Sequence, residues 1–493
     1  MAHTTALRTA ALLLAGTVFL AGCGSDNDDK RKPSPAEPGE TREHDSRTFT
    51  VDQTTLPFDA NSGAVPSVLE PNEAVQTAKR YWGIYQGIQG PAAYRVEIPE
   101  NWNGGMILWA RGYGGDGHTL TGVLPSMVFR NVALAAGYAW ASSSYSANYY
   151  DVRAALEDTN KLALEFHDYL KRDWNVEDLP EPTQYLIAGG SMGGHTAAVA
   201  VEAETLERAR YQVQYEGALA LCQSEQNEFN WLGDYTLVAQ HLAGFGDRPS
   251  TDFQELLPQI LGRLFVAVEG ENAWVTTEQG DKLKEIARHL TGGHRPIFDE
   301  GFRVGALQWA VLSTGGSDGT INGILAKPFY DNTDRVYRWT DDTVPTAEEA
   351  EFNATIERKS ADQEAANPVR NDGVRWLPLV QGKFNVPVLT MHTLGDFYVP
   401  FRHQQLYRLR AIENGSDQWL VQRAIRAPSH CDFSASEMAT ALTDFLAWVN
   451  LGSKPEGDEV LDPAVVANPA YGCKFTNNLG STGREALPAC PPN

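Results

Sequence analysis

An apolar run, Tyr185-Leu186-Ile187-Ala188, is separated from an alanine-rich run starting at Thr196 by Gly189-Gly190-Ser191-Met192-Gly193-Gly194. A strand that turns into a helix over so few residues needs a sharp corner. The residues two before and two after its apex must then be small, so that the two backbones can approach. Glycine stands at both places, Gly189 and Gly193, and Ser191 takes the apex with its hydroxyl projecting. The helix start behind it brings partial positive charge and the free amide of Met192, a donor for a developing oxyanion.

The surrounding pattern supplies the strands and helices that this corner requires. Tyr94, Val96 and Ile98 alternate as in a half-buried strand, and Met106 to Ala110 read as a buried one. Tyr138 to Ser142, Gly217 to Cys222, Val386 to His392 and Trp419 to Ile425 share the same short, turn-bounded character. Leu162, Phe166, Tyr169 and Leu170 recur at helical spacing, as do Met438, Leu442, Phe445 and Val449, the latter behind a Ser434/Glu437 capping box. The expected class is α/β: a mostly parallel sheet with helices on both faces and a site at the C-terminal strand ends. Between Cys222 and Val386 the alternation lapses. Phe253, Leu256, Leu257, Ile260, Leu261 and Leu264 fit one helix face there, and Trp274, Trp309, Phe329, Tyr337 and Trp339 add aromatic surface. The expected organisation is a core of residues 49–224 and 381–453, a helical cap insertion at 225–380, and a loose Pro- and Gly-rich tail at 454–493.

The amino end bears on location. Arg8 precedes an apolar run from Ala10 to Ala21, too short to span a bilayer but suited to a signal peptide. It ends in Leu20-Ala21-Gly22-Cys23, which resembles the bacterial lipobox. That resemblance implies a signal peptide at 1–22, lipidation of Cys23 and an extracytoplasmic, membrane-anchored protein, on the outer membrane if the cell is Gram-negative. Residues 23–48 are too polar to bury a core and are expected to form a disordered tether. Sixty-three acidic against forty basic residues, net −23, disfavour nucleic acid as a partner. Beyond Cys23, four cysteines allow two disulfides in three connectivities. No C-x-x-C or H-x-x-x-H spacing points to a metal.

In this setting, Gly189–Gly194 resembles the nucleophile turn of the α/β-hydrolase superfamily, a resemblance that runs from about Tyr94 to Val449. It implies an acid after a late strand and a histidine after the last one. Thr393-Leu394-Gly395-Asp396 and Ala427-Pro428-Ser429-His430 stand in those places. The implied catalytic residues are Ser191 as nucleophile, His430 as base and Asp396 as the group that orients the imidazole. Asp432 is too near His430 in sequence to compete, and Glu437 has its capping role. The amides of Tyr113, within Arg111-Gly112-Tyr113-Gly114-Gly115, and Met192 are the implied oxyanion hole. Arg111 replaces the family's usual histidine, and a structural ion pair is expected for it. His118, His195 and His392 are expected to pack or line the pocket. The implied disulfides are Cys222 with Cys431, clamping the histidine loop to the sheet, and Cys473 with Cys490, pinning the tail. Tannase-like and feruloyl-esterase-like hydrolases are similar in tying a cysteine after the histidine to the nucleophile region. They place its partner directly before the serine, where this chain has Gly190.

The resemblance implies a serine hydrolase that cleaves a small or polymeric carboxylic ester through an acyl-enzyme, with no metal or organic cofactor. The alternatives are an amidase or peptidase using the same residues, or an inactive surface-binding lipoprotein.

Overall fold

Neighbouring residues of the central strands belong to two different cores, one on each side of a single sheet. A computed structural model describes residues 45–59, 69–315, 329–478, 484 and 486–491, all within the unit Ser34–Asn493. The expected signal peptide, Cys23 and most of the expected tether lie outside the described residues.

The main sheet consists of β1 (Lys79–Gln86), β2 (Pro91–Ile98), β3 (Gly105–Ala110), β4 (Ala139–Ser143), β5 (Gln184–Gly190), β6 (Ala218–Leu221), β7 (Val388–Thr393) and β8 (Leu420–Ile425). Their order across the sheet is β8-β7-β6-β5-β3-β4-β2-β1. The pairs β1/β2 and β2/β4 are antiparallel and all other neighbours are parallel. This is an α/β-hydrolase fold.

Side chains alternate across the sheet. Met106, Leu108, Ile187, Ala218 and Val388 face a core shared with the helices α2 (Val152–Trp174) and α3 (Met192–Ala200). Ile107, Leu186, Leu219, Leu389 and Val421 face the opposite core, which α1 (Met127–Ala135) and α9 (Ala435–Leu451) cover. Because helices cover both faces, β2 is not half-buried as its alternation suggested: everything from Ala92 to Ile98 is buried. Glu97, a polar residue of the alternation, is satisfied inside. Glu97 accepts from Arg130 Nε and Nη2 at 2.9 and 2.6 Å and from Trp140 Nε1 at 2.8 Å. Strand β1 was not anticipated. Gly83 interrupts its pattern, and the Tyr94 ring of β2 occupies the space a side chain there would need, with Cε1 2.7 Å from the position of a Cβ.

Between β6 and β7 the described elements are chiefly helical: α4 (Glu228–Gln240), α5 (Phe253–Leu264), α6 (Glu278–Leu290) and α7 (Gly305–Thr314) are the longest. Helix α5 buries Phe253, Leu256, Leu257, Ile260 and Leu264, the face its spacing marks out. An antiparallel pair, Phe265–Ala267 with Trp274–Thr276, was not expected. Of the aromatics there, Phe329 and Tyr337 are buried, whereas Trp309 is exposed.

The tail is not loose where it is described. Strand β8 ends the sheet, and its free edge would invite pairing with other chains. The tail covers that edge: Asp458 N donates to Gln422 O at 2.7 Å, Asp458 Oδ2 accepts from Ala424 N at 2.8 Å, and Thr476 Oγ1 accepts from Arg426 N at 2.8 Å. Val460, Val466 and Tyr471 then pack against Leu394 and Phe401. A disulfide joins Cys473 to Cys490.

Candidate active site

Strand β5 ends at Gly190 and α3 begins at Met192, so Ser191 is the single residue between them. It holds φ 61° and ψ −124°, a conformation that costs a non-glycine residue roughly 1–3 kcal/mol and persists only where the surroundings enforce it. Here they do. Ser191 N donates to Leu221 O and His195 N to Ser191 O, each at 3.0 Å. A Cβ on Gly189 would stand 2.6 Å from Ala110 O, and one on Gly193 would stand 2.7 Å from Arg111 O and closer still to Ala110 O. The small-residue requirement read from the sequence therefore has two sources, the helix start at Gly193, whose carbonyl is the atom nearest a Cβ on Gly189, and the backbone end of β3.

The loop after β3 passes directly over the corner: a Cβ on Gly112 would lie 3.5 Å from Ser191 Cβ. Tyr113 lines the same cleft as Ser191. Arg111 is not held by the expected ion pair. Its guanidinium is buried and donates to Ser144 O from Nε and Nη2 at 2.9 and 2.7 Å and to Asn148 Oδ1 at 2.9 Å, while it stacks on the Tyr145 ring. These neutral acceptors leave the positive charge uncompensated, and burial lowers the Arg111 pKa. The arginine ties the glycine loop to residues 144–148.

Asp396 and His430 meet although they are distant in sequence. His430 Nδ1 donates to Asp396 Oδ2 at 2.5 Å, and the backbone amides of Tyr398 and Val399 donate to Oδ1, each at 3.0 Å. Their loops interlock at Gly395, where a Cβ would come within 2.6 Å of Pro428 Cα. Burial by itself would raise the Asp396 pKa. The interaction and hydrogen bond with His430, then His392 and the Val399 amide, outweigh it and hold the carboxyl below its usual range, so it accepts as a carboxylate. With Nδ1 donating, Nε2 carries the lone pair. Cys431 Sγ lies 3.4 Å from that nitrogen, and a disulfide sulfur has no hydrogen with which to occupy it. Tyr398 stands edge-on to the imidazole at 5.3 Å and also lines the cleft that Ser191 opens on.

Cys222 and Cys431 form the other disulfide, with Cα atoms 5.3 Å apart. Both have positive φ, 40° and 53°, so strain concentrates around the serine. The bridge lies against Gly190: a Cβ there would be 3.7 Å from Cys222 Sγ and 3.9 Å from Cys431 Sγ. The neighbouring strand thus delivers a sulfur beside the residue preceding Ser191. The two sulfurs also cluster with His430, but they are bonded to each other and offer no thiolates to a metal.

The remaining candidates have structural partners. His392 Nε2 donates to Val399 O at 2.9 Å and His118 Nδ1 meets Thr48 O at 2.9 Å. Asp432 and Glu437 are both engaged by Arg484, and Glu437 completes the capping box with Ser434.

Tyr150, Ser224, Glu228 and Tyr398 are among the cleft residues that escaped the sequence reading. Their only signal was position, three in loops or at the helix start following β4 and β6, and Tyr398 two residues beyond Asp396. His195 Nε2 faces Pro378 O at 2.9 Å, and a carbonyl can only accept, so Nε2 carries the proton. Nδ1 therefore accepts from Tyr150 Oη at 3.0 Å, and Tyr150 in turn accepts from Ser224 Oγ. Burial lowers the His195 pKa to about 4, consistent with a neutral ring. The cleft is tight. Its cavity volume is about 10 Å³, room for about one water.

No family model matches the chain. It is 29% identical to an o-phthalyl amidase of Xanthobacter agilis over 98 residues, 20% of this chain and 22% of that protein, so the match spans about a fifth of the relative's length. Among solved structures, an esterase from Aspergillus oryzae is similar with a TM-score of 0.42 at 12% identity, covering 78% of this chain and 81% of the other. Feruloyl esterase B from Aspergillus oryzae is similar at 0.39 and 12%, covering 78% and 82%. An acylaminoacyl peptidase of Pyrococcus horikoshii is similar at 0.33 and 11%, covering 72% and 38%.

Proposed function

We propose that this chain is a serine hydrolase that cleaves a carboxylic ester through an acyl-enzyme. The observation that carries the reading is the short Asp396–His430 hydrogen bond beside the strained corner that presents Ser191. In this reading His430 Nε2 takes the Ser191 proton as Oγ attacks the carbonyl carbon, and Asp396 stabilises the imidazolium formed. The amides of Met192 and Tyr113 hold the oxyanion while His430 returns the proton to the leaving oxygen. Water then repeats the sequence to release the acid. None of these steps calls on a metal or organic cofactor.

Fluorophosphonate labelling tests the reading: one equivalent on Ser191, abolished in Ser191→Ala, is expected. An unlabelled serine favours an inactive binding scaffold. The partial likeness to an amidase keeps amides as the second reading. Hydrolysis rates on matched aryl esters and anilides decide between them, because an alkoxide or phenolate leaves more readily than an amine.

The location is part of the proposal. Two disulfides favour an oxidising, extracytoplasmic compartment. Anchoring through a lipid on Cys23 is tested by incorporation of labelled palmitate, which Cys23→Ala should abolish.

A further inference from the structure

Glu228, the first residue of α4, is 2% exposed and yet lines the cleft on which Ser191 opens. Its Oε2 makes no hydrogen bond. The His403 ring on α8 (Arg402–Asn414) approaches it at 3.5 Å through Nδ1, which is also unbonded. Burial, reinforced by the Arg410 charge, keeps His403 from protonating, so among the described residues no cation pairs with the carboxyl. Burial, reinforced by Asp396 and Glu225, holds Glu228 well above the ordinary carboxyl range. The group facing the cleft is then a neutral carboxylic acid, able to donate and to accept. Ser224 stands on the same wall. Its proton goes to Tyr150, whose own proton goes to His195, so its oxygen remains an acceptor. One turn along α4, Leu232 lines this cleft at no desolvation cost. A buried acid with an unbonded oxygen is costly unless a ligand uses it.

We propose that Glu228, with Ser224 beside it, is a specificity-determining group that holds a hydroxyl substituent of a small ester or amide near the scissile carbonyl. This rests on the hydrolase reading above. A hydroxyl donates and accepts, and so matches both members of the wall. A methyl group in its place leaves a buried acid unpaired, which is the basis of strong discrimination.

Two pairs of esters test it, each exchanging hydroxyl for methyl: butyl glycolate against butyl propionate on the acyl side, and 3-hydroxypropyl acetate against butyl acetate on the alcohol side. The hydroxyl-to-methyl ratio in kcat/KM is divided by the same ratio for hydrolysis by hydroxide, which removes intrinsic reactivity. In the wild-type chain, one pair should show an excess of roughly 10-fold or more. Glu228→Leu should lose that excess, whereas Glu228→Gln, which still donates and accepts, should keep it within about threefold. An excess absent from both pairs in the wild-type chain overturns the proposal without any variant having to fold. So does an excess retained by Glu228→Leu or lost by Glu228→Gln. A wild-type chain that hydrolyses none of the four esters and resists fluorophosphonate defeats the hydrolase reading itself, and this proposal with it.

Discussion

Removing the disulfide beside the serine should separate stability from chemistry. The perturbation is Cys222→Ala with Cys431→Ala, compared with Cys473→Ala and Cys490→Ala. The first bridge spans 209 residues and the second 17. The chain-entropy relation assigns them about 5 and about 3 kcal/mol at room temperature. The larger figure has an offset. Cys222 and Cys431 hold φ of 40° and 53°, and once the bridge is cut their backbones can leave the left-handed region, recovering roughly 1 kcal/mol each. Neither Cys473 nor Cys490 has a positive φ. Both double variants should therefore lose about 3 kcal/mol, read as similar falls in the urea midpoint. Their chemistry should differ. Relaxation at Cys431 displaces the adjacent His430, and a shift of about 1 Å costs a reacting group roughly 10²-fold. The fluorophosphonate labelling rate of Ser191, measured well below the unfolding transition, should fall by that order in the first variant. It should stay within about threefold of wild type in the second. Equal labelling rates in the two variants would refute the claim that this bridge positions the histidine.

Alanine at Gly193 should cost about 3 kcal/mol or more and abolish labelling, because its Cβ meets the Ala110 and Arg111 carbonyls. Gly190→Ala meets only the two sulfurs, at 3.7 and 3.9 Å, and should cost less than about 1 kcal/mol by urea denaturation. Asp396→Asn should lower kcat by about 10⁴-fold on an aryl ester, since the amide can turn its N–H toward Nδ1 and force the proton onto Nε2. The contribution of His195 to stability should fall as pH drops from 6.5 toward 4. Burial lowers its pKa from 6.5 to about 4, so at this group the unfolded chain binds more protons across that window, while buried carboxyls with raised pKa, Asp151, Glu202 and Asp234 among them, act in the opposite direction. The wild-type urea midpoint should therefore fall relative to that of His195→Gln as pH drops from 6.5 to 4.

Much of the architecture could be read locally. The parallel strands β3, β5 and β6 carry short apolar runs, and the Ser434/Glu437 box marks the start of α9 because capping is settled within four residues. The corner at Ser191 was legible for the same reason, since strand, small residues and helix are contiguous there. Strand β1 and the ordered tail were not, because their stability comes from partners elsewhere: the Tyr94 ring that fills the space at Gly83, and the β8 edge that Asp458 covers. The ion pair expected for Arg111 failed in the same way, because carbonyls brought in from residues 144–148 serve instead of a carboxylate.

By itself the sequence determined which residue types occupy which strand ends, because periodicity, capping and turn sterics act over a few residues and leave a local trace. Only the tertiary structure decided what converges on the serine. Carbonyls of residues 144–148 take the Arg111 guanidinium, His195 sets the direction of the Tyr150–Ser224 hydrogen bonds, and Glu228 is buried without a counter-charge among the described residues. Those outcomes depend on desolvation and on contacts between segments far apart in the chain, and no short stretch of sequence encodes either.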